Sequence, residues 1–198
     1  MTCLNVYIGR DHALIATDSE MCVGNARVPC TKVFALNHLS AIISGRGSPL
    51  TLFGAFAAAC SAPDGDRFVE NISKHLKDAW EGVHPFMADN PMTSEVVFVW
   101  WSASAQRMRG VHCSGFESGP CQIREIENTF NTPIFPEIDT TTMPTEPKGM
   151  ARLMAQQVAG MKLHHPAEAT GGRMFCTWVR EGDIHTRDEG EIAHVETA

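Results

Sequence analysis

The sequence predicts an α+β fold, and the order of its elements fits two sheets held between helical layers. Three observations lead there. Short alternating apolar strands open the chain, two helical segments separate them from a second group of strands, and a third helix precedes the closing strands. A chain of 198 residues is long enough to enclose a full core, so residues 1–198 are expected to form one domain.

The elements follow in order. From Cys3 to Ile8 the residues alternate, with Leu4, Val6 and Ile8 on one face and Cys3, Asn5 and Tyr7 on the other, the pattern of a half-buried strand. GRDH is a tight turn into a second strand, ALIAT. KVFAL and SAIIS are two more, separated by Asn37 and His38, so the chain is expected to open as a four-stranded meander. TLFGAFAAAC, just after Pro49, is a helix, since proline is favoured in a first turn. Past the turn APDGD, Asp66 is the expected cap of a second helix, in which Phe68, Ile72, Leu76 and Trp80 recur at every fourth position. EVVFVWW and RMRGVHC make a hairpin around SASAQ, and CQIREIE is a further strand. Consecutive Trp100 and Trp101 must face opposite sides of theirs, one toward the core and one toward an interface. Four prolines and a TTT run make 128–147 a long loop. MARLMAQQVAGMKL is the third helix, MFCTWV a strand, and the polar stretch from His185 onward an edge strand with a loose tail.

Composition removes several classes of function. A formal net charge of −7, with basic residues scattered apart from Arg107 and Arg109, argues against a phosphate-backbone partner. No run approaches the roughly 18 apolar residues of a membrane helix. Asn5, Arg10, Asp11 and His12 interrupt the first apolar stretch before a signal sequence could form, so a cytoplasmic protein is expected. The seven cysteines form no CxxC pair and are odd in number, as expected of free thiols in a reducing compartment. A zinc site built from distant cysteines with His164 and His165 would lack ligand spacing, and neither metal nor cofactor is expected. Ser114 lacks the G-x-S-x-G elbow of a serine hydrolase, and Cys3 beside Thr2 is expected to pack.

The chemistry concentrates at the start of the chain. Removal of Met1 would leave Thr2 with a hydroxyl and a free α-amine on one residue. An unperturbed α-amine, titrating at about 7.7–8.0, can take the hydroxyl proton directly or through a water, so no histidine is needed. Such a site also needs a cation, an anion to position it, and a backbone N–H aimed at the developing oxyanion. The first two strands form a hairpin, which brings Asp18 at the end of one near Thr2 at the start of the other. Lys32 opens the third strand and can reach a carboxylate at the end of the sheet. Gly45, after the fourth, would let a substrate backbone approach closely.

Taken together, Thr2, the pair Asp18-Ser19 after fifteen intervening residues, the GN…K-V stretch and S-G ahead of an apolar helix resemble proteasome β-subunits and their short bacterial relatives. The opening MTC…ALIATDSEMCVGN is especially similar to the ancestral β-subunit (Anbu) type. The resemblance implies the four-layer αββα sandwich, with two antiparallel sheets, of N-terminal-nucleophile hydrolases. It also implies that Thr2 is nucleophile and amine base, Lys32 the cation that lowers the amine's pKa, and Asp18 the partner that orients Lys32. Gly45 would donate the oxyanion-hole N–H, and Ile43 would line the pocket for the side chain preceding the scissile bond. ATGGRMFCTWVREGD resembles the family's S-G-G turn, with Thr170 at the serine position. Ala167 stands where the family has an aspartate, with Glu168 adjacent, and the G-S-G turn of a second serine has no counterpart. Also implied are a peptide or amide substrate and a homo-oligomeric ring or spiral, for which Phe53, Phe56 and Trp101 are candidate interface residues. No regulatory ATPase can be inferred. Two alternatives remain: a proteasome-fold scaffold without turnover, and a small-molecule amidase using the same Thr2 site.

Overall fold

Apolar cores stacked in three layers, with a smaller fourth cluster around Phe135 and Met161, order the chain. The computed structural model describes residues 2–23, 26–86, 94–138, 143–165 and 171–192. Their strands are β1 (Leu4–Ile8), β2 (His12–Asp18), β3 (Glu20–Val23), β4 (Ala26–Pro29), β5 (Val33–Leu36), β6 (Ala41–Arg46), β7 (Glu95–Ser102), β8 (Arg107–Ser114), β9 (Gln122–Glu125), β10 (Thr129–Thr132), β11 (Arg173–Arg180) and β12 (Asp183–Glu191). The helices are α1 (Pro49–Cys60), α2 (Gly65–Glu70), α3 (Ile72–Val83) and α4 (Pro147–His164). One antiparallel sheet runs β10-β1-β2-β11-β12 and the other β5-β6-β7-β8-β9; β3 and β4 pair only with each other.

Strand alternation assigns side chains to layers. Leu4, Val6 and Ile8 of β1, Ile15 of β2, Ile42 of β6 and Val97 and Val99 of β7 meet between the sheets. The opposite faces of β6 and β7 present Ile43, Val96, Phe98 and Trp100 to α1, α2 and α3, where Ala55, Phe68, Ile72, Leu76 and Trp80 pack. On the far side Cys3, Leu14, Ala16 and Cys176 meet Met150, Met154 and Val158 of α4. The order helix, sheet, sheet, helix is the four-layer αββα sandwich that the resemblance implies.

Several local expectations are corrected. The four-stranded meander does not form: β1 and β2 belong to one sheet, β5 and β6 to the other, and the β3-β4 hairpin lies between them. The β1 strand is covered on both faces, because α4 packs on the side opposite the second sheet. The expected loop over 128–147 contains β10, an edge strand paired to β1 through Leu4 and Thr132. The edge strand expected from His185 is present but begins earlier, as nine-residue β12, and the expected loose tail lies outside the described residues. Trp100 is fully buried, while half-buried Trp101 packs against the inter-sheet core.

The second helix is capped by Asp64, whose side chain accepts from the Arg67 N–H at 2.7 Å, and the run breaks at Asn71 into α2 and α3. Asp66 has a different task. Its carboxylate accepts from the Trp100 indole at 2.7 Å, the Ser102 hydroxyl at 3.1 Å and the Ser104 hydroxyl at 2.7 Å, pinning α2 to the β7-β8 turn. Burial pushes the Asp66 carboxyl up, but these hydrogen bonds together carry it below its ordinary range. A depressed carboxyl contributes stability above its unfolded pKa and loses it as pH falls through the folded one. Because Asp66 is partly exposed, Asp66→Asn should destabilise the protein by only about 1 kcal/mol at neutral pH. Denaturant unfolding in acid should show that difference shrinking.

Candidate active site

The β1-β2 register sets Leu4 opposite Thr17, so Cys3 faces Asp18 across the hairpin, and the Asp18 N–H donates to the Cys3 carbonyl at 3.3 Å. Thr2 is thereby fixed at the head of β1, one peptide from the Asp18 carboxylate, and it is buried.

That carboxylate is fully enclosed and receives four donated contacts. Lys32 Nζ lies 2.9 Å from each oxygen, the Cys3 N–H donates to Oδ1 at 2.8 Å, and the Gly171 N–H donates to Oδ2 at 3.1 Å. Lys32 immediately precedes β5 and crosses from the second sheet to the end of β2 in the first; only 7% of its side-chain surface is exposed. Its backbone carbonyl accepts from the Ser44 hydroxyl at 2.7 Å, which ties the lysine to β6 one residue before Gly45. Asp18 and Lys32 thus meet beside the peptide that joins Thr2 to Cys3, with Ser44-Gly45 at the same end of the neighbouring sheet.

Backbone from the far end of the chain completes the anion's environment. Gly171 and Gly172 both have positive φ, at 132° and 76°. A side chain at Gly172 would place its Cβ 2.7 Å from Ser19 Oγ, so this turn requires glycine for space as well as conformation. Ser19 grips the turn twice: its N–H donates to the Gly171 carbonyl at 3.2 Å, and its Oγ accepts from the Arg173 N–H at 2.9 Å. Ser19 and Gly171 have a place in the resemblance but no role there, and the sequence does not point to Ser44 or the Cys3 N–H. The adjacent pairs Asp18-Ser19 and Gly171-Gly172 were the available signal. Thr170 lies outside the described residues.

The remaining candidates are placed as follows. Gly45 pairs with Val96, and a Cβ there would fall 2.2 Å from the Glu95 carbonyl oxygen and 2.7 Å from a Leu52 methyl. The close approach that demands glycine is thus the protein's own β7 backbone and α1. Ile43 is fully buried in the core beneath α1. Cys3 is fully buried too; burial, then the Asp18 charge, push its thiol well up, outweighing Lys32 and Arg46, so it is a packing residue. The six described cysteines are free thiols. His164 stacks on Phe135, with Nε2 3.2 Å from Glu137, and among the described residues no three His, Cys, Asp or Glu are grouped to hold a metal. A separate cleft of about 440 Å³, lined by His112, Arg124 and Phe130 among others, does not include Thr2. No helix among the described residues is long and apolar enough to cross a membrane.

The fold is an α+β sandwich of two antiparallel five-stranded sheets between helices, and solved structures share it. The Gly-1 mutant of Anbu from Hyphomicrobium sp. strain MC1 superposes with a TM-score of 0.69 at 10% identity, covering 96% of this chain and 87% of that one. Anbu (ancestral beta-subunit) from Yersinia bercovieri gives 0.64 at 10% identity, covering 96% and 88%. The chain has the fold of these proteins. No protein-family model and no curated protein sequence matches it.

A buried pair is strongly destabilised when one partner is removed and far less so when both are replaced by apolar groups. Asp18→Asn should cost about 3–5 kcal/mol in denaturant unfolding, because it strands the Lys32 charge. Asp18→Asn with Lys32→Met keeps an acceptor for the Cys3 N–H and removes the stranded charge, so it should recover part of that loss; a double variant no better than Asp18→Asn would contradict the pairing.

Proposed function

We propose that the protein is a threonine-type N-terminal-nucleophile hydrolase that cleaves peptide or amide bonds through an acyl-enzyme on Thr2. The observation that carries this reading is the buried Lys32–Asp18 pair one peptide from Thr2, with both carboxylate oxygens engaged. An enclosed ion pair is an expensive way to join two sheets, since apolar residues of similar volume do so at least as well. Beside a chain-terminal threonine it has a chemical use.

Once Met1 is removed, the α-amine accepts the Oγ proton as Oγ bonds to the substrate carbonyl carbon. The carbonyl oxygen takes the displaced electron pair, and a backbone N–H at Gly45 is the proposed donor to it. Collapse of the tetrahedral species expels the amine leaving group, which takes the proton from the Thr2 ammonium and leaves an ester on Oγ. Water then attacks the ester, with the α-amine again as base, and regenerates Thr2. The Lys32 charge disfavours protonation of the nearby amine and so keeps it available as a base, while Asp18 holds that cation in place. Phe53 and Leu50, exposed on α1, offer apolar surface for the homo-oligomer that this reading expects.

A peptide epoxyketone needs both the hydroxyl and the free amine of one residue. It should add a single equivalent to Thr2 in protein lacking Met1, and none to Thr2→Ala. Lys32→Ala should lower the rate by a hundredfold or so, in keeping with the loss of a tuned base. Absence of labelling in Met1-free protein would favour the scaffold alternative, for which the missing serine and aspartate counterparts speak. Labelling with no turnover of any peptide library would favour a small-molecule amide.

A further inference from the structure

Both strands that flank β1 are tied to the second sheet by a cation. On one side Lys32 reaches Asp18 at the end of β2. On the other, Arg46 at the end of β6 donates from Nη1 to Thr132 Oγ1, at the end of β10. Thr132 lies directly across from Leu4, and β10 is the edge strand, so Arg46 holds the outer neighbour of β1 two residues from Thr2.

Arg46 is itself braced. Glu95, its register partner on β7, lies 3.6 Å from Nη1, and His112 on β8 approaches the same carboxylate at 3.7 Å while stacking on Phe130 of β10. His112, then burial and the Arg46 charge, act on Glu95, and the net effect holds its carboxyl below the ordinary range. Arg46 therefore faces a carboxylate as well as the threonine hydroxyl. Its charge also acts, like that of Lys32, on the Cys3 thiol next to Thr2. Alternation along β1, β6, β7, β8 and β10 puts Leu4, Arg46, Glu95, His112 and Thr132 on the faces turned toward the space between the sheets, at the end where Thr2 sits.

We propose that Arg46, acting through Thr132, is a second positioning residue of the Thr2 site. Lys32 and Arg46 fix the head of β1 from its two sides, and Arg46 also anchors the β6 segment carrying Gly45 one residue before it. The inference deepens the hydrolase reading and rests on it for its catalytic consequence. The clamp itself is a claim about the head of β1 and stands or falls separately.

The test uses the full chain freed of Met1. Thr132→Val removes the hydroxyl acceptor at nearly constant volume, Thr132→Ser restores it, and Arg46→Lys keeps charge while losing the guanidinium fork. Epoxyketone labelling is followed to saturation, separating the limiting rate from the half-saturating concentration, with Tm measured alongside. Thr132→Val and Arg46→Lys should lower the limiting rate about tenfold or more, as misplacement of a reacting group does, with little change in half-saturation. Thr132→Ser should recover the rate at a similar Tm. Wild-type rates in Thr132→Val, or losses in Thr132→Val and Thr132→Ser that simply follow Tm, would overturn the proposal. Amide hydrogen exchange provides a readout independent of chemistry. The clamp requires the Cys3 amide to exchange about tenfold faster in Thr132→Val, with the Ile8 amide unchanged. If wild type is never labelled, the hydrolase reading fails and exchange alone decides the clamp; equal protection of Cys3 in both proteins would refute it.

Discussion

The arrangement depends above all on one enclosed carboxylate. Asp18 has no access to water, and a bare anion there would be prohibitive. Its cost is offset by a cation from the second sheet and two backbone N–H groups, one from the head of β1 and one from the Gly171 turn ahead of β11. Three segments remote in sequence are thus compelled to meet at one point. Whatever disturbs that meeting disturbs the position of Thr2, because the amide linking Thr2 to Cys3 is one of the four contacts.

The layers around it explain why the meeting point is rigid. The inter-sheet core is largely apolar through Val6, Ile15, Ile42 and Val99, and its charged pairs gather toward the end occupied by Thr2. On the α4 side, Gln157 and Asn5 exchange side-chain amide hydrogen bonds at 2.8 and 3.0 Å, and Gln157 also donates to the Pro133 carbonyl at 3.0 Å. The second residue of β1 and the residue after β10 are therefore held from the helix side, while Lys32 and Arg46 reach across from the other sheet. Positioning of this kind is what an N-terminal nucleophile requires, since its base and its attacking oxygen belong to one residue and only the surroundings can aim them.

Much of this was legible in the sequence. Period-two alternation reads out β1, short runs bounded by turn residues read out β2 and β5 through β8, and hairpin geometry suffices to set Asp18 beside Thr2. Lys32 could be placed because a lysine opening an apolar strand has few partners other than a carboxylate at the sheet's end. The losses have physical causes. Alternation shows that β1 has two faces but not that α4 covers the second, which is a tertiary fact. The β3-β4 hairpin and β10 lack apolar runs, and the prolines after β10 masked it as loop. Asp64 and Asp66 are equally good caps by residue type; Asp66 was drawn away by Trp100, Ser102 and Ser104, which lie 34 to 38 positions downstream. The contributions of Gly171 and Arg46 come from long-range pairing, which no local pattern reports.

All of the proposed chemistry turns on the state of one amine. In a chain that keeps Met1, the Thr2 nitrogen is an amide and has no basicity to offer, however well Lys32 and Asp18 are arranged. The intact mass of the protein purified from cells that express it is therefore the most direct measurement. The account predicts a mass short by one methionine residue, with Thr2 as the first residue on sequencing. A mass that retains Met1 in the cell would contradict the hydrolase reading and leave the same fold and ion pair as the frame of a protein without turnover.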